Sequence, residues 1–254
     1  MKHLFLTKQS FCNQTRLIFL YFKTWHIIFI SFYFVFFSFF IWVLLGVYNM
    51  NKWIVDSSIF LHPFNCILAA PTMGGKTFMM TEILKFKDVL IEPPPNRIIF
   101  CYKSWQPSYE KIKKDTPSIE FIEGILDTDI INIQNNNLII LDDLMSECIN
   151  SEEIMNLFTV GSHHKNISVF FLTQNIFSKG KFSRDISLNS NYMIIFKNPR
   201  DQQQLQILAR QMYPNNSKFL IESFQDATKA SFGYLLLDLK QTTPHRNRVQ
   251  TGVP

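Results

Sequence analysis

The stretch Ala70-Pro71-Thr72-Met73-Gly74-Gly75-Lys76-Thr77 decides the fold. It follows an apolar run, residues 64–69, and precedes a helix-compatible stretch, residues 78–86. A strand, a glycine loop and a helix in this order direct backbone N–H groups and the helix dipole at one point, which predicts a phosphate cradle. The loop from Pro71 to Thr77 would surround the phosphates. Lys76 would contact the β- and γ-phosphates, and the Thr77 hydroxyl would hold Mg²⁺.

One position departs from the G-x-x-x-x-G-K-[ST] pattern, because Ala70 stands where the first glycine is usual. A β-carbon is tolerated there only if the residue keeps a negative φ. We therefore expect Ala70 to adopt an ordinary backbone conformation and the two glycines before Lys76 to provide the freedom of the turn.

A second motif is the apolar run Leu138-Ile139-Ile140-Leu141, which ends in Asp142 and Asp143. A continuous apolar run is typical of a strand buried on both faces of a parallel sheet. Ligands bind at the carboxyl ends of such strands. We expect Asp142 to coordinate Mg²⁺ and Asp143 to orient or deprotonate the attacking water.

From residue 51 onward, apolar strands alternate with amphipathic helices, which predicts an α/β fold with a mostly parallel central sheet flanked by helices. The predicted strands are residues 64–69, 97–102, 118–122, 138–141, 167–172, 192–196 and 233–239. The predicted helices are residues 78–87, 108–114, 151–163, 200–212 and 218–228. The strand at 167–172 ends in Thr173-Gln174-Asn175. Gln174 would then lie at the same sheet edge as Asp142, where it could hydrogen-bond the γ-phosphate or the attacking water.

The charge balance excludes a strongly basic globular domain. Residues 1–50 contain four basic residues and no acidic ones, which leaves 21 basic and 20 acidic residues from position 51 onward. Any contact with nucleic acid must therefore come from a local patch rather than from a global field. The four cysteines show no C-x-x-C spacing, so the sequence indicates neither a zinc site nor a redox motif.

The first 49 residues form a hydrophobic extension, distinct from the predicted domain at 50–254. Residues 27–48 carry no charge and are long enough to cross a bilayer as a helix. Basic residues lie mainly before this stretch, so the positive-inside tendency would place the following domain on the side without ATP. Three interpretations remain open: a membrane anchor, a cleaved targeting segment, or translated AT-rich upstream sequence with Met50 as the true start.

The chain from about His62 to Pro254 resembles the FtsK–HerA class of P-loop NTPases. Within that class it is most similar to the genome-packaging ATPases of poxvirus-like viruses and of Maverick/Polinton and adintovirus elements. The resemblance rests on the two motifs above and on Phe171-Leu172-Thr173-Gln174-Asn175. It also rests on Phe196-Lys197-Asn198-Pro199-Arg200-Asp201 and on Gly233-Tyr234-Leu235-Leu236-Leu237-Asp238.

The resemblance implies an ATP-driven ring, usually of six subunits, that moves double-stranded DNA into a capsid. It implies ATP and Mg²⁺ as cofactors, a capsid or portal-like protein as partner, and Gln174 as the sensor. Arg184, in a polar loop predicted over residues 178–185, is the first candidate, and Arg200 the second, for an arginine that reaches a neighbouring subunit's nucleotide. The expected location is the virion, nucleus or cytoplasm if translation starts at Met50, and a single-pass membrane position otherwise.

Two other functions remain open. A non-catalytic viral relic would bind nucleotide or a partner without turnover, and a membrane-anchored ATP-binding protein would use residues 27–48. The absence of an Asn-Lys-x-Asp motif from the sequence argues against a GTPase.

Overall fold

The computed structural model describes residues 59–127 and 131–252, apart from the side chain of His163. The predicted hydrophobic N-terminal helix, the apolar stretch 27–48 and the boundary between residues 49 and 50 lie outside this part of the chain. Among the described residues, no helix is long and apolar enough to span a membrane.

An eight-stranded sheet forms the centre of the fold. Its strands are β2 (Asn65–Ala69), β4 (Arg97–Tyr102), β5 (Ile119–Glu123), β6 (Asn137–Asp142), β7 (Ile167–Thr173), β8 (Tyr192–Phe196), β9 (Tyr234–Asp238) and β10 (Val249–Gln250). Their order across the sheet is β10-β9-β8-β2-β7-β6-β4-β5. The six strands from β8 to β5 run parallel, whereas β9 is antiparallel to β8 and β10 is antiparallel to β9. The mostly parallel sheet is thus confirmed.

A separate two-stranded parallel sheet joins β1 (Phe60–Leu61) to β3 (Ile91–Glu92). The sequence did not predict these strands or β10, because two residues are too few to show the alternation that identifies a strand.

Helices cover both faces of the central sheet, which explains why its middle strands are apolar without alternation. The helices are α1 (Lys76–Lys85), α2 (Lys87–Leu90), α3 (Pro107–Asp115), α4 (Met145–Cys148), α5 (Glu152–Asn156), α6 (Ser162–His164), α7 (Ser183–Leu188), α8 (Gln203–Met212) and α9 (Ser217–Ala227). Alternate residues of β2 enter two different cores. Ile67 and Ala69 pack with α5, α7, α8 and α9, and Cys66 and Leu68 pack with α1 and α3.

The predicted helix at 151–163 is present but interrupted by a π-helical turn, Leu157–Gly161, between α5 and α6. Ser151 caps its start, because the Ser151 hydroxyl accepts a hydrogen bond from the Ile154 N–H at 3.2 Å. The Asn65 amide donates to the Phe158 carbonyl at 2.9 Å. The Phe158 carbonyl, which lies in this π-helical turn, thus has a hydrogen-bond partner on β2, outside its own helix.

The segment that carries Arg184 differs from the prediction. We expected a polar loop over residues 178–185, but helix α7 begins at Ser183, so Arg184 lies in its first turn. This helix buries Ser183, Ile186 and Ser187, of which only Ile186 is apolar. Six residues are too few to show helical periodicity, which is why the sequence did not indicate it.

Candidate functional site

The candidate site lies where β2, β7 and β6 end at one edge of the sheet. Ala69 of β2 is in register with Thr173 of β7, and Leu172 of β7 is in register with Asp142 of β6. The Ala70 N–H also donates to the Thr173 carbonyl at 3.1 Å. The register therefore brings the glycine loop, Gln174 and the two aspartates together, although they are far apart in the sequence.

The glycine loop has the tight geometry that its sequence predicts. Gly75 has a φ of 99°, and a β-carbon at Gly74 would lie 2.8 Å from the Pro71 carbonyl oxygen. Each glycine is thus required, one by its left-handed conformation and the other by the closeness of the chain. Met73 also has a positive φ, of 60°, whereas Ala70 does not. Ala70 therefore accepts its β-carbon, as expected.

The Lys76 side chain lies over this loop and is 9% exposed. Its ammonium donates to the carbonyl oxygens of Ala70 at 3.0 Å and Pro71 at 3.3 Å. Burial lowers the pKa of Lys76, and the negative charges of Asp142 and Asp143 oppose that effect. The arrangement holds a cation at the centre of the loop, between the backbone and the two carboxylates.

Asp142 is a buried carboxylate, only 1% exposed. The Tyr109 hydroxyl, from α3, donates to its Oδ2 at 2.9 Å. Burial raises the pKa of Asp142 to about 6, and the Tyr109 hydrogen bond and the Lys76 charge act in the opposite direction. Ionising a buried carboxyl group costs free energy, and a divalent cation bound beside it would offset that cost.

Asp143 differs from its neighbour because it is exposed and has a φ of 57°. Its Oδ2 accepts a hydrogen bond from Nε2 of Gln106 at 2.9 Å. Gln106 immediately precedes α3, so the helix that carries Tyr109 also orients this second carboxylate. The left-handed backbone turns Asp143 away from the strand and toward the cavity.

A cavity of about 570 Å³ joins these groups. Its lining brings together every predicted site residue except Pro71 and the two arginines. The lining residues are Thr72, Met73, Gly74, Gly75, Lys76, Thr77, Phe78, Gln106, Asp142, Asp143, Gln174 and Phe232. Lys76 is the only cationic side chain in this lining, within the ranges that the structure describes. Arg184 and Arg200 lie outside it.

A second cavity, of about 260 Å³, lies beside the first, between the ends of β2 and β8 and helices α8 and α9. Gln174 lines both cavities. Gln204 of α8 holds the loop that follows Gln174, because its Oε1 accepts from the N–H groups of Ile176 at 2.6 Å and Phe177 at 3.3 Å. Its Nε2 donates to Asn175 at 3.1 Å and to Asp201 at 2.5 Å.

Sequence reasoning missed four residues of this region: Gln106, Tyr109, Gln204 and Phe232. The first three act through side-chain contacts between elements distant in the sequence, for which a single sequence carries no signal. Phe232 had a weak signal, since an aromatic residue in a polar turn directly before a strand at the ligand edge is unusual.

The fold has a known counterpart among viral proteins. The chain is similar to the genome packaging NTPase B204 from Sulfolobus turreted icosahedral virus 2, solved in complex with sulfate and with ATP-gammaS. The two structures share 12% and 11% identity with this chain, with TM-scores of 0.51 and 0.52. Each covers 75% of this chain, and the matches cover 96% and 97% of B204. No family model and no curated protein matches the chain.

This likeness supports the α/β P-loop fold. At such low identity it says nothing of individual residues.

Proposed function

We propose that this protein is an ATP-hydrolysing motor that packages or translocates double-stranded DNA, as the resemblance to FtsK–HerA class ATPases implies. One observation carries the proposal. A single cavity contains a glycine loop, a buried lysine, two carboxylates and an amide, contributed by segments that follow three neighbouring parallel strands. The similarity of the fold to a viral genome packaging NTPase supports the same conclusion.

The residues present fit ATP with Mg²⁺. The loop turns tightly, since the Gly74 N–H donates to the Pro71 carbonyl at 2.9 Å and a β-carbon at Gly74 would meet the same oxygen. Such a turn would direct the N–H groups that follow Gly74 at phosphate oxygens. Thr77 and Asp142 would hold Mg²⁺, with phosphate oxygens and water as the remaining ligands, which is the usual arrangement for this ion. Among the described residues, no cluster of three or more His, Cys, Asp or Glu could hold a metal by itself. Bound Mg²⁺ would neutralise charge on the β- and γ-phosphates.

Asp143, Gln174 and Lys76 each have a separate role in hydrolysis. Asp143 accepts a proton from the attacking water, whose oxygen bonds to the γ-phosphorus as the bond to the β–γ bridging oxygen breaks. Gln174 orients that water or the γ-phosphate, and Lys76 stabilises the charge that passes to the departing ADP. The products are ADP and inorganic phosphate.

A second cation would come from another subunit. The lining of the cavity offers Lys76 alone as a cation in the described part of the chain. P-loop ATPases commonly complete the site in trans with an arginine. We propose Arg184 for this role, in a homo-oligomeric ring that works with a capsid or portal-like protein. The ring would act in the virion, nucleus or cytoplasm if translation starts at Met50, or at a membrane if residues 1–49 anchor it.

The test is steady-state ATP hydrolysis with Mg²⁺, with and without double-stranded DNA. Asp143→Asn should slow hydrolysis by ~10²-fold or more while Mg-ATP still binds, since a positioned general base contributes about that factor. Asp88→Asn is the matched control, because Asp88 is exposed on α2 and lies outside the cavity. Hydrolysis by the unaltered protein at the level of the buffer, with DNA present, would favour the non-catalytic relic.

A further inference from the structure

Phe232 is the least expected residue in the cavity lining. It is 67% exposed, and its φ is 61°. A bulky side chain rarely adopts this left-handed conformation, and such outliers cluster at ligand-binding sites. The hydrophobic effect does not account for its position, because the ring lies largely in solvent.

The turn that carries Phe232 is fixed from both sides. The Gly233 N–H donates to the Ala230 carbonyl at 3.1 Å, which closes the turn. A β-carbon at Gly233 would lie 2.3 Å from the Ala227 carbonyl oxygen, so the chain passes directly against the end of α9. Strand β9 then begins at Tyr234, in register with Phe196 at the end of β8. Phe232 therefore lies at the sheet edge where β2 and β8 end.

The ring of Phe232 lies against the glycine loop. A β-carbon at Gly75 would be 3.2 Å from Cδ1 of Phe232. Gly75 immediately precedes Lys76, so the aromatic ring borders the phosphate cradle beside its lysine. The absence of a side chain at Gly75 is what allows this approach.

The order of the strands sets the direction in which a nucleotide would lie. From β2, the carboxylates are reached across β7 to β6, whereas Phe232 is reached across β8 to β9. Mg²⁺ and the γ-phosphate belong beside the carboxylates. The nucleoside must then extend the other way, toward Phe232.

We infer that Phe232 forms the base subsite of this ATPase and stacks on the purine ring of the bound nucleotide. This inference rests on the proposed nucleotide site. Stacking on an aromatic face tolerates every base, because every base has a π-face. Phenylalanine has no donor or acceptor with which to read the edge of the base. The subsite therefore distinguishes adenine from guanine weakly.

The test is calorimetric titration of the full chain, in Mg²⁺, with three probes: β,γ-imido-ATP, β,γ-imido-GTP and inorganic tripolyphosphate. Phe232→Ala should weaken the binding of both nucleotide analogues by about 5- to 150-fold, the usual range for a lost base stack, and leave tripolyphosphate binding unchanged. Phe232→Gly should have the same effect on all three affinities. It serves as a control for misfolding, since glycine adopts this φ without strain. Phe232→Tyr should retain the affinity of the unaltered protein.

Two controls separate the possible failures. Phe219→Ala removes another exposed phenylalanine, one outside both cavities, and should leave all three affinities unchanged. Lys76→Ala should weaken tripolyphosphate as well as the nucleotides, and if it weakens neither, the phosphate site itself is wrong. The base subsite is overturned if Phe232→Ala leaves the nucleotides unaffected while Lys76→Ala weakens them. It is equally overturned if Phe232→Ala weakens tripolyphosphate as much as the nucleotides, or if only Phe78→Ala affects the nucleotides.

Discussion

At the scale of single residues, Ala70 shows that the loop does not need its first glycine. Ala70 is buried and its φ is not positive. Ala70→Gly should lower the free energy of unfolding by about 1 kcal/mol, because glycine gains freedom in the unfolded chain. The affinity for ATP should change by less than about threefold, which corresponds to about 0.7 kcal/mol. Chemical denaturation and calorimetric titration measure the two effects. A tenfold gain in affinity would show that the methyl group obstructs the loop.

Asp142 makes the stability of the metal-free protein depend on pH, and the raised pKa of Asp142 sets the sign of that dependence. The folded protein holds this proton more tightly than the unfolded chain does. The stabilisation is therefore present below the ordinary pKa of 3.8 and is lost as the pH rises through about 6. A pKa raised by about two units corresponds to about 3 kcal/mol in the free energy of unfolding.

Asp142→Asn removes this dependence while keeping an acceptor for the Tyr109 hydroxyl. In EDTA, the free energy of unfolding of the variant should rise by about 2–3 kcal/mol relative to that of the unaltered protein between pH 4 and pH 7.5, since each pKa unit is worth about 1.36 kcal/mol. Urea denaturation at a series of pH values measures the gain. If the free energies of unfolding of the two proteins differ by the same amount at every pH in this range, that result would contradict the burial of an ionisable carboxylate at this position.

At the scale of the elements, the sequence predicted those whose patterns are long or buried. β4 and β8 have the predicted bounds, and β2, β6 and β7 lie within one residue of theirs. The sequence could not show the short helix α7 or the two-residue strands, because periodicity needs more residues than they have. It also could not show contacts such as the one from Tyr109 to Asp142, which depend on how α3 packs against the sheet.

Gln204 links α8 to the loop after β7, and the structure predicts a cost for breaking that link. Gln204→Ala leaves the N–H groups of Ile176 and Phe177 without their side-chain acceptor. It should therefore destabilise the protein by about 1–3 kcal/mol. Because this loop follows Gln174, kcat should also fall while the KM for ATP changes little.

The matched control is Gln203→Ala, which alters the exposed neighbouring residue on the same helix. Thermal denaturation and steady-state kinetics should show no change in this variant. An equal loss in both variants would mean that α8 itself, rather than the hydrogen bonds of Gln204, supports the loop.

At the scale of the whole molecule, the central prediction is a site shared between subunits. Arg184→Ala and Lys76→Ala should each be inactive alone. A mixture should recover partial activity, because an intact loop in one subunit can face an intact Arg184 in the next. The rate for the unaltered protein should rise more than linearly with its concentration. If light scattering shows mixed assemblies but no activity returns, Arg184 is not the trans residue, and Arg200 becomes the candidate.

The most direct test of the motor is ATP-dependent movement on DNA. From residue 51 onward the charges nearly cancel, so DNA must contact a local patch and movement must depend on the nucleotide cycle. The measurement is displacement of a third strand from a linear double-stranded DNA. The proposed function predicts displacement that requires ATP and Mg²⁺ and disappears in Lys76→Ala. Steady ATP hydrolysis that DNA does not stimulate, with the third strand left in place, would contradict it.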